Sequence, residues 1–253
     1  MIRRTGLTFA LACASAIGLT LPGAALGATT VGQTFVPDSS GATCVGGEWN
    51  VVPTGTESGV SYVAPTSGVL TSWSFEAQAA GGPTILTMRV YHPTGAPQEY
   101  SVVADGSDLQ TIADGSGTHT FPTRITVQAG DFVGIRSTQG QCAHTTASLA
   151  DTFEFQPNSS LAVGDIGSFF GNSEFVWDIS AQLEADVDHD GFGDETQDQC
   201  PTDASTHGVC PSAPVTPATP TTPTTAKRKK CKKHKTKHSA ESAKKKCKKK
   251  KKK

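Results

Sequence analysis

The chain has 253 residues and a formal net charge of −1, which conceals a strong separation of charge along the sequence. Residues 28–226 contain 22 acidic residues, three arginines and no lysine, whereas residues 227–253 contain 17 basic residues and a single acid. This length allows one or two modest domains, and beyond the first 27 residues no apolar run is long enough to cross a membrane. An acidic body with a basic tail is typical of a protein whose tail contacts polyanions.

The first 27 residues have the pattern of a secretory signal peptide. Two arginines give a positive start, a run of small and apolar residues ends at Leu21, and Ala25 and Gly27 have the spacing of a cleavage site. The apolar run is short for a membrane span, and an uncleaved anchor is the alternative interpretation. We therefore expect residues 1–27 to be removed and the protein to be secreted, without a transmembrane helix after cleavage.

Residues 28–184 carry a pattern of short β-strands. Runs rich in Val, Ile, Thr and aromatic residues alternate with Gly, Pro, Ser and Asp, and no stretch predicts a helix. In LTMRVY the apolar Leu86, Met88 and Val90 alternate with their neighbours, as in a strand with one buried face. The clearest strands are expected within residues 32–37, 60–65, 69–78, 84–93, 99–104, 123–138 with a turn at 129–131, 151–157 and 174–184. This spacing favours an all-β, jelly-roll-like two-sheet sandwich, with the three tryptophans in its core or on its sheet surface.

Six cysteines remain after the first leaves with the signal peptide. They are Cys44, Cys142, Cys200, Cys210, Cys231 and Cys247. An even number in an exported chain indicates disulfides, although the sequence does not fix their connectivity. We expect the first two to pair inside the sandwich and the next two to form a local link. The last two pair either with each other or with another chain.

An acidic motif, DVDHDGFGDETQDQCP, occupies residues 186–201. Ca²⁺ takes about six to eight oxygen ligands, which a short loop supplies from alternate side chains and a backbone carbonyl. The motif matches the spacing of a calcium-binding EF-hand loop up to its ninth position. It departs at the twelfth, where Gln197 stands in place of the usual glutamate. Five aspartates so close together repel one another unless a cation neutralises them, and a solvated acidic turn is the alternative.

The same run resembles one unit of a thrombospondin type-3 repeat, in which alternate aspartates, a glycine and further aspartates precede Cys-Pro. The resemblance covers 16 residues and implies an extracellular Ca²⁺ site within a module of residues 185–210. The ligands that it implies are Asp186, Asp188, Asp190, the carbonyl of Phe192, Asp194 and Asp198. The final aspartate comes one residue later than in the usual unit. Asp198, Gln197 and Glu195 are therefore all candidates for the last ligand.

The C-terminal part is predicted to be an extended tether. Residues 211–226 form a Pro/Thr linker, and residues 227–253 are a Lys-rich tail too charged to collapse. An anionic cell-wall polymer or membrane surface is a better partner than nucleic acid, because the exported tail lacks aromatics that stack on bases. A solvated tail and a tail folded back on the acidic body are the alternatives. Zinc binding by its cysteines and histidines is disfavoured by the surrounding lysines. The candidate polyanion-binding residues are Lys227, Arg228, Lys229, Lys230, Lys232, Lys233, Lys244, Lys245 and Lys246.

Catalytic signatures are missing from the sequence of the body. It contains neither a G-x-S-x-G nucleophile motif nor an H-E-x-x-H zinc motif, so we expect a protein that is not an enzyme. The favoured hypothesis is a non-catalytic secreted protein, retained at the cell surface or wall, with a calcium loop and a polycationic tail. The alternative is a secreted carbohydrate-binding or glycan-active protein that uses an aromatic row on the sandwich. An exposed aromatic row would favour the alternative.

Overall fold

The computed structural model describes residues 27–38 and 47–212. Within these ranges the protein has no helix, and its antiparallel sheets form a sandwich-like arrangement, which confirms the predicted all-β fold. The predicted signal peptide up to residue 26, most of the predicted linker and the Lys-rich tail lie outside the described residues. The strands are β1 (Thr29–Gln33), β2 (Trp49–Gly55), β3 (Gly68–Glu76), β4 (Thr84–Pro93), β5 (Glu99–Asp105), β6 (Gln110–Ile112), β7 (Thr118–Val127), β8 (Phe132–Gln139), β9 (Ala143–Thr145), β10 (Thr152–Pro157), β11 (Ile166–Ser168), β12 (Phe170–Ser173), β13 (Phe175–Trp177) and β14 (Ile179–Glu184).

The smaller sheet has four strands in the order β1-β14-β3-β7, all antiparallel. At its centre, Trp73 lies opposite Ala181 on one side and Phe121 on the other. Leu70, Trp73 and Phe75 are fully buried and belong to the main core. This sheet therefore covers one side of the main core, and its strand β14 leads directly into the acidic motif.

The larger sheet has the order β11-β5-β4-β8-β2-β10-β12, with β6 also paired to β4. Its two end strands, β11 and β12, are separated in sequence by Phe169 alone. The sheet must therefore curl round until its two ends meet. Two contacts support this curl. Phe169 donates its N–H to the carbonyl of Gln98, which precedes β5, at 2.7 Å. A methyl group added at Gly167 would lie 2.6 Å from the Gln156 side chain of β10.

The curl produces two cores rather than one. The three apolar residues of β4 that alternate in the sequence are fully buried in the main core between the sheets, as predicted. The intervening Thr87, Arg89 and Tyr91 are also at most 1 % exposed. The expectation of a single buried face on this strand is therefore wrong. The curled sheet encloses a second core around Tyr91, Tyr100 and Phe169, so both faces of β4 are shielded from water.

A polar network centred on the buried Arg89 extends to partly exposed carboxylates. The Arg89 guanidinium donates from Nε and Nη2 to the two carboxylate oxygens of Asp105, at 2.5 and 2.9 Å, and from Nη1 to Asn50 at 2.7 Å. Arg136 donates to both oxygens of Glu48 at 3.0 Å and to Asp105 at 3.2 Å. A buried guanidinium is tolerated only when its donors are paired, and this network supplies the partners.

Some strands differ from the sequence prediction. Residues 60–65 form no named strand and only an isolated bridge from Val63 to Phe132. Residues 174–184 are divided at Asp178 into β13, which pairs with β9, and β14, which pairs with β1 and β3. The Asp178 carboxylate at this break accepts the backbone N–H groups of Phe35 and Glu76 at 2.9 and 3.0 Å. The turn at residues 129–131 is present, but it connects β7 of the smaller sheet to β8 of the larger.

Residues 27–38 and 47–211 belong to one compact unit. The acidic motif belongs to the same unit as the sandwich. Cys142 is fully buried and disulfide-bonded, and its predicted partner Cys44 lies outside the described residues. Cys200 and Cys210 form the predicted local disulfide, with Cα atoms 4.8 Å apart. Cys231 and Cys247 also lie outside the described residues.

Candidate metal centre

Three aspartates converge directly after β14. One carboxylate oxygen from each of Asp186, Asp188 and Asp190 lies within 4.8 Å of the others, and all three residues are half-buried. Oxygens at this separation can contact one hard cation together, and alternate residues of a short loop provide them without any helix. Half of the predicted ligand set is therefore gathered in one place.

The backbone of the loop turns sharply between these side chains. His189 has a φ of 61° and Gly191 a φ of 83°, both in the left-handed region. The N–H groups of Asp190 and Gly191 donate to the Asp186 carboxylate at 3.1 and 3.2 Å, and that of Phe192 donates to Asp190 at 2.9 Å. These local bonds hold the carboxylates on the inside of the turn and leave His189 exposed to solvent.

Two further aspartates border the cluster. Both oxygens of Asp194 accept the N–H of Val187 at 3.3 Å. Burial raises the pKa of Asp194, and the negative charges of Asp186, Asp188 and Asp198 raise this pKa further. A carboxylate whose proton affinity is increased by three neighbouring carboxylates lies in a strongly negative field. Such a field attracts cations.

Two carboxylate oxygens in this region are buried without a hydrogen-bond partner among the described residues. They are Oδ2 of Asp188 and Oδ2 of Asp198. Asp198 is only 4 % exposed, and its other oxygen accepts the N–H of Cys200 at 2.7 Å. A buried anionic oxygen without a donor is costly, so its environment is electrostatically incomplete without a cation.

The contacts distinguish the three candidates for the last ligand. The amide nitrogen of Gln197 donates to the carbonyl of Thr123 at 2.9 Å, while its oxygen accepts the N–H of Gly193 at 3.4 Å. The carboxylate of Glu195 accepts the N–H of Ala28 at 2.9 Å. Only Asp198 among the three has a buried carboxylate oxygen without a partner in the described part of the chain.

Glu184, the last residue of β14, fixes the loop to the sandwich. Its carboxylate accepts the hydroxyl of Thr71 at 2.9 Å, the N–H groups of Glu195 and Thr196 at 3.0 and 2.9 Å, and the Thr196 hydroxyl at 2.7 Å. Burial acts to raise the pKa of Glu184, but these hydrogen bonds outweigh burial and lower the pKa. A methyl group added at Gly193 would lie 2.5 Å from Glu184, so glycine is required for this approach.

Phe192 has a structural role that the sequence analysis missed. Its ring stacks on His207 with centroids 4.1 Å apart, and the Arg124 guanidinium of β7 lies 4.1 Å from the ring centroid. The loop is therefore attached to β7 through this side chain, while its carbonyl stays a predicted ligand. The signal for this role was an aromatic residue within an otherwise polar motif. The signal for Glu184 was an acid at the last position of the final strand.

The histidines of the body do not form a catalytic triad among the described residues. His92 lies 2.6 Å from the buried Asp131, and His144 lies 3.0 Å from Asp38. Ser116 lies 2.7 Å from the Nε2 atom of His119, but no carboxylate orients that ring in the described part of the chain. That the protein is not an enzyme stays a prediction.

An aromatic row crosses three neighbouring strands of the larger sheet. Trp49 of β2 stacks on Phe155 of β10 with centroids 5.5 Å apart, and Phe155 lies 6.2 Å from Phe170 of β12. Phe170 is 62 % exposed, and Trp49 is half-buried. By contrast, Trp73 and Trp177 are fully buried in the main core, as predicted. The row is the feature of the sandwich that is relevant to sugar binding.

Comparison with known proteins gives no family. The chain matches no protein-family model, and neither the curated proteins nor the solved structures contain a significant match. Among the described residues, no helix has the length and apolar character needed to cross a membrane.

Proposed function

We propose that the protein is a non-catalytic secreted protein that binds one Ca²⁺ ion through its acidic loop, the motif of residues 186–201. Its Lys-rich tail holds the protein at an anionic cell surface. Asp186, Asp188, Asp190, Asp194 and Asp198 would supply carboxylate oxygens, together with the carbonyl of Phe192. The ion would neutralise a concentrated negative charge and order the segment that follows the sandwich. Mg²⁺ suits such an irregular, carboxylate-rich loop less well, because it demands near-ideal octahedral geometry.

The observation that carries the calcium proposal is the pair of buried carboxylate oxygens, on Asp188 and Asp198, that have no hydrogen-bond partner among the described residues. An acidic turn that is merely solvated would expose its carboxylates to water. Here Asp198 is only 4 % exposed, so its carboxylate is largely shielded from bulk water. A cation bound by the loop would give such oxygens a partner. It would also reduce the repulsion that, after burial, contributes to the raised pKa of Asp194.

Calorimetric titration of residues 28–253 with CaCl₂ tests this proposal. We expect a single site with a dissociation constant of about 10⁻⁴–10⁻³ M or tighter, as in extracellular modules. Asp198→Asn should weaken binding by at least about tenfold, because it replaces a charged ligand. Asp203→Asn is the matched control, since that carboxylate accepts bonds from Ser205 in the next turn. No heat at millimolar Ca²⁺, or equal effects of the two variants, would refute the proposal.

The tail proposal is supported by charge and composition. Residues 227–253 contain 17 basic residues, whereas residues 28–226 contain no lysine. Each lysine near an anionic surface contributes about 1 kcal/mol, so several acting together suffice for retention. A chain truncated after Ala226 should move from the cell fraction to the medium, and salt should release the full-length protein in the same way. An unchanged distribution would contradict retention by the tail.

The aromatic row supports a second candidate function, binding of a glycan by the sandwich. Stacking of sugar rings requires exposed aromatic faces, and Phe170 provides the most exposed one in the row. A binding screen of residues 28–253 against glycans and cell-wall polymers tests it, with Phe170→Ser as the variant. Because the tail also binds polyanions, a tail-truncated chain is the control. Binding that persists without the tail and is lost in Phe170→Ser would favour this function.

A further inference from the structure

The start of the sandwich lies against the acidic loop. Ala28 precedes β1, and its backbone nitrogen donates to Oε2 of Glu195 at 2.9 Å. A methyl group added at Gly27 would lie 3.6 Å from Oε1 of the same carboxylate. Both oxygens of Glu195 therefore face the segment Gly27–Ala28. The two groups are 167 residues apart in sequence, so the contact is a product of the fold.

Glu195 is held in this position by its own backbone. Its N–H donates to Oε2 of Glu184 at 3.0 Å, and Glu184 is buried at the end of β14. A groove of about 320 Å³ next to this contact is lined by Gly27 and Thr29 together with Glu184 and Asp186. The surroundings of the Ala28 nitrogen are therefore acidic, which favours a positive charge there.

The sequence predicts that this same nitrogen becomes charged. Ala25 and Gly27 have the spacing of a signal cleavage site, which places the cut between Gly27 and Ala28. Hydrolysis of that peptide bond consumes one water, leaves the carboxylate on Gly27 with the leader and gives Ala28 a free amine. The amine takes up a proton from solvent at neutral pH, because an α-amino group has a pKa of about 7.7–8.0.

We propose that removal of the leader creates an ion pair between the Ala28 α-ammonium and the Glu195 carboxylate, which fastens the acidic loop to the first residue of the mature chain. Before cleavage this position offers one neutral N–H donor. After cleavage it offers three donors and a full charge, which strengthens the hydrogen bond. The contact requires one particular first residue, because each additional residue moves the ammonium by about 3.8 Å.

The cleavage position is tested by the intact mass of the protein exported from a bacterial host with its own leader. The inference requires Ala28 as the first residue. A mass that corresponds to any other first residue overturns it. This measurement depends on export, which belongs to the proposed function, but it does not depend on calcium binding or on retention by the tail.

The ion pair is tested by a four-protein comparison in the presence of a calcium chelator. Full chains that begin at Ala28, or that retain residues 24–27 and so carry the ammonium about 15 Å further along the chain, are released from an N-terminal fusion, each with and without Glu195→Gln. Exposed ion pairs shift the melting temperature of a domain of this size by about 1–4 °C. We expect Glu195→Gln to lower it by this amount only when the chain begins at Ala28. An equal shift in both backgrounds overturns the ion pair.

Glu57→Gln is the matched control, since it removes an exposed carboxylate from a loop between strands and should act equally in both backgrounds. A carbodiimide provides a direct readout, because it joins an amine to a carboxylate in contact with loss of one water. The body has no lysine, so the α-amine is its single primary amine. A peptide that links Ala28 to Glu195 should appear in the chain beginning at Ala28 and be lost in Glu195→Gln. Failure to form that link overturns the inference.

Discussion

The three arginines of the acidic body all have partners in the structure. Arg89 and Arg136 are held by the carboxylates of Asp105 and Glu48, and Arg124 lies over the ring of Phe192. Two of the three positive charges thus neutralise Asp105 and Glu48, and the third attaches the acidic loop to β7. Most of the 22 acidic residues in residues 28–226 therefore have no arginine near them. The individual contacts explain why the body presents a strongly acidic surface.

Asp178 makes stability depend on pH. It is fully buried, and burial raises its pKa to about 8 even though two backbone N–H groups donate to it. The folded state therefore binds a proton that the unfolded state, with a pKa of about 3.9, releases. Its contribution to stability is complete below about pH 4 and is lost as the pH rises to about 8, with a slope of at most about 1.4 kcal/mol per pH unit.

Urea unfolding of the protein and of Asp178→Asn at pH 5 and pH 8 checks this prediction. The variant has lower stability at both values, because its amide group cannot accept from both backbone donors. It should nevertheless lose less free energy of unfolding than the natural protein between pH 5 and pH 8. All other carboxylates are common to the two proteins. Equal losses would show that Asp178 does not titrate in this range.

At the scale of elements, the acidic loop is a part of the sandwich rather than a separate module. The loop contacts three elements of the sandwich. These contacts are made by Glu184 at the end of β14, by Thr123 and Arg124 of the edge strand β7, and by Ala28 before β1. These contacts come from three different elements, and each forms independently of the aspartate cluster. The loop is therefore positioned by contacts outside the aspartate cluster, which would reduce the ordering cost of binding the proposed cation.

Glu184→Ala should release the loop from β14. It removes the acceptor of four hydrogen bonds, which leaves the Glu195 and Thr196 N–H groups without a protein partner, and we expect a cost of about 2–4 kcal/mol. Amide exchange at Glu195 and Thr196 should accelerate, and Ca²⁺ binding should weaken. Glu184→Gln is the control, since its amide oxygen can accept both N–H groups while its NH₂ donates to the threonine hydroxyls. Unaltered exchange in Glu184→Ala would contradict this role.

At the scale of the whole molecule, the two sheets with their cores and the acidic loop belong to one compact unit. The smaller sheet covers the main core, and the curled larger sheet encloses the second core. Since β14 belongs to the smaller sheet and carries Glu184 at its end, the loop is joined directly to that sheet. A ligand of the loop should therefore stabilise the entire unit.

Thermal unfolding of residues 28–253 with and without Ca²⁺ checks this coupling. A ligand at about 100 times its dissociation constant stabilises the folded state by about 2.7 kcal/mol. For a unit of this size we expect the melting temperature to rise by about 5–10 °C in a single transition. Asp198→Asn should show little rise, and Asp203→Asn the full rise. A calcium-dependent transition of the loop alone, with an unchanged main transition, would show that the loop is uncoupled.

Local properties of the sequence determined the fold class and half of the site. The alternation of Leu86, Met88 and Val90 predicts a strand because side chains of a strand point alternately to opposite faces. The spacing of Asp186, Asp188 and Asp190 brings their oxygens together because all three lie on one short turn. The Cys200–Cys210 pair is likewise close in sequence. None of these features requires knowledge of a distant residue.

Only the tertiary structure decided the features that depend on distant pairing. The curl of the larger sheet, which buries Arg89, arises because β11 and β12 pair with strands at opposite ends of the sheet. The contact of Thr71 with Glu184 spans 113 residues, and that of Ala28 with Glu195 spans 167. The Ala28 contact occupies Glu195, and contacts with Gly193 and Thr123 occupy Gln197. Among the three candidates for the last ligand, only Asp198 has an unpartnered buried carboxylate oxygen in the described part of the chain. The sequence alone could not choose the last ligand among Asp198, Gln197 and Glu195, because that choice depends on which strands lie next to the loop.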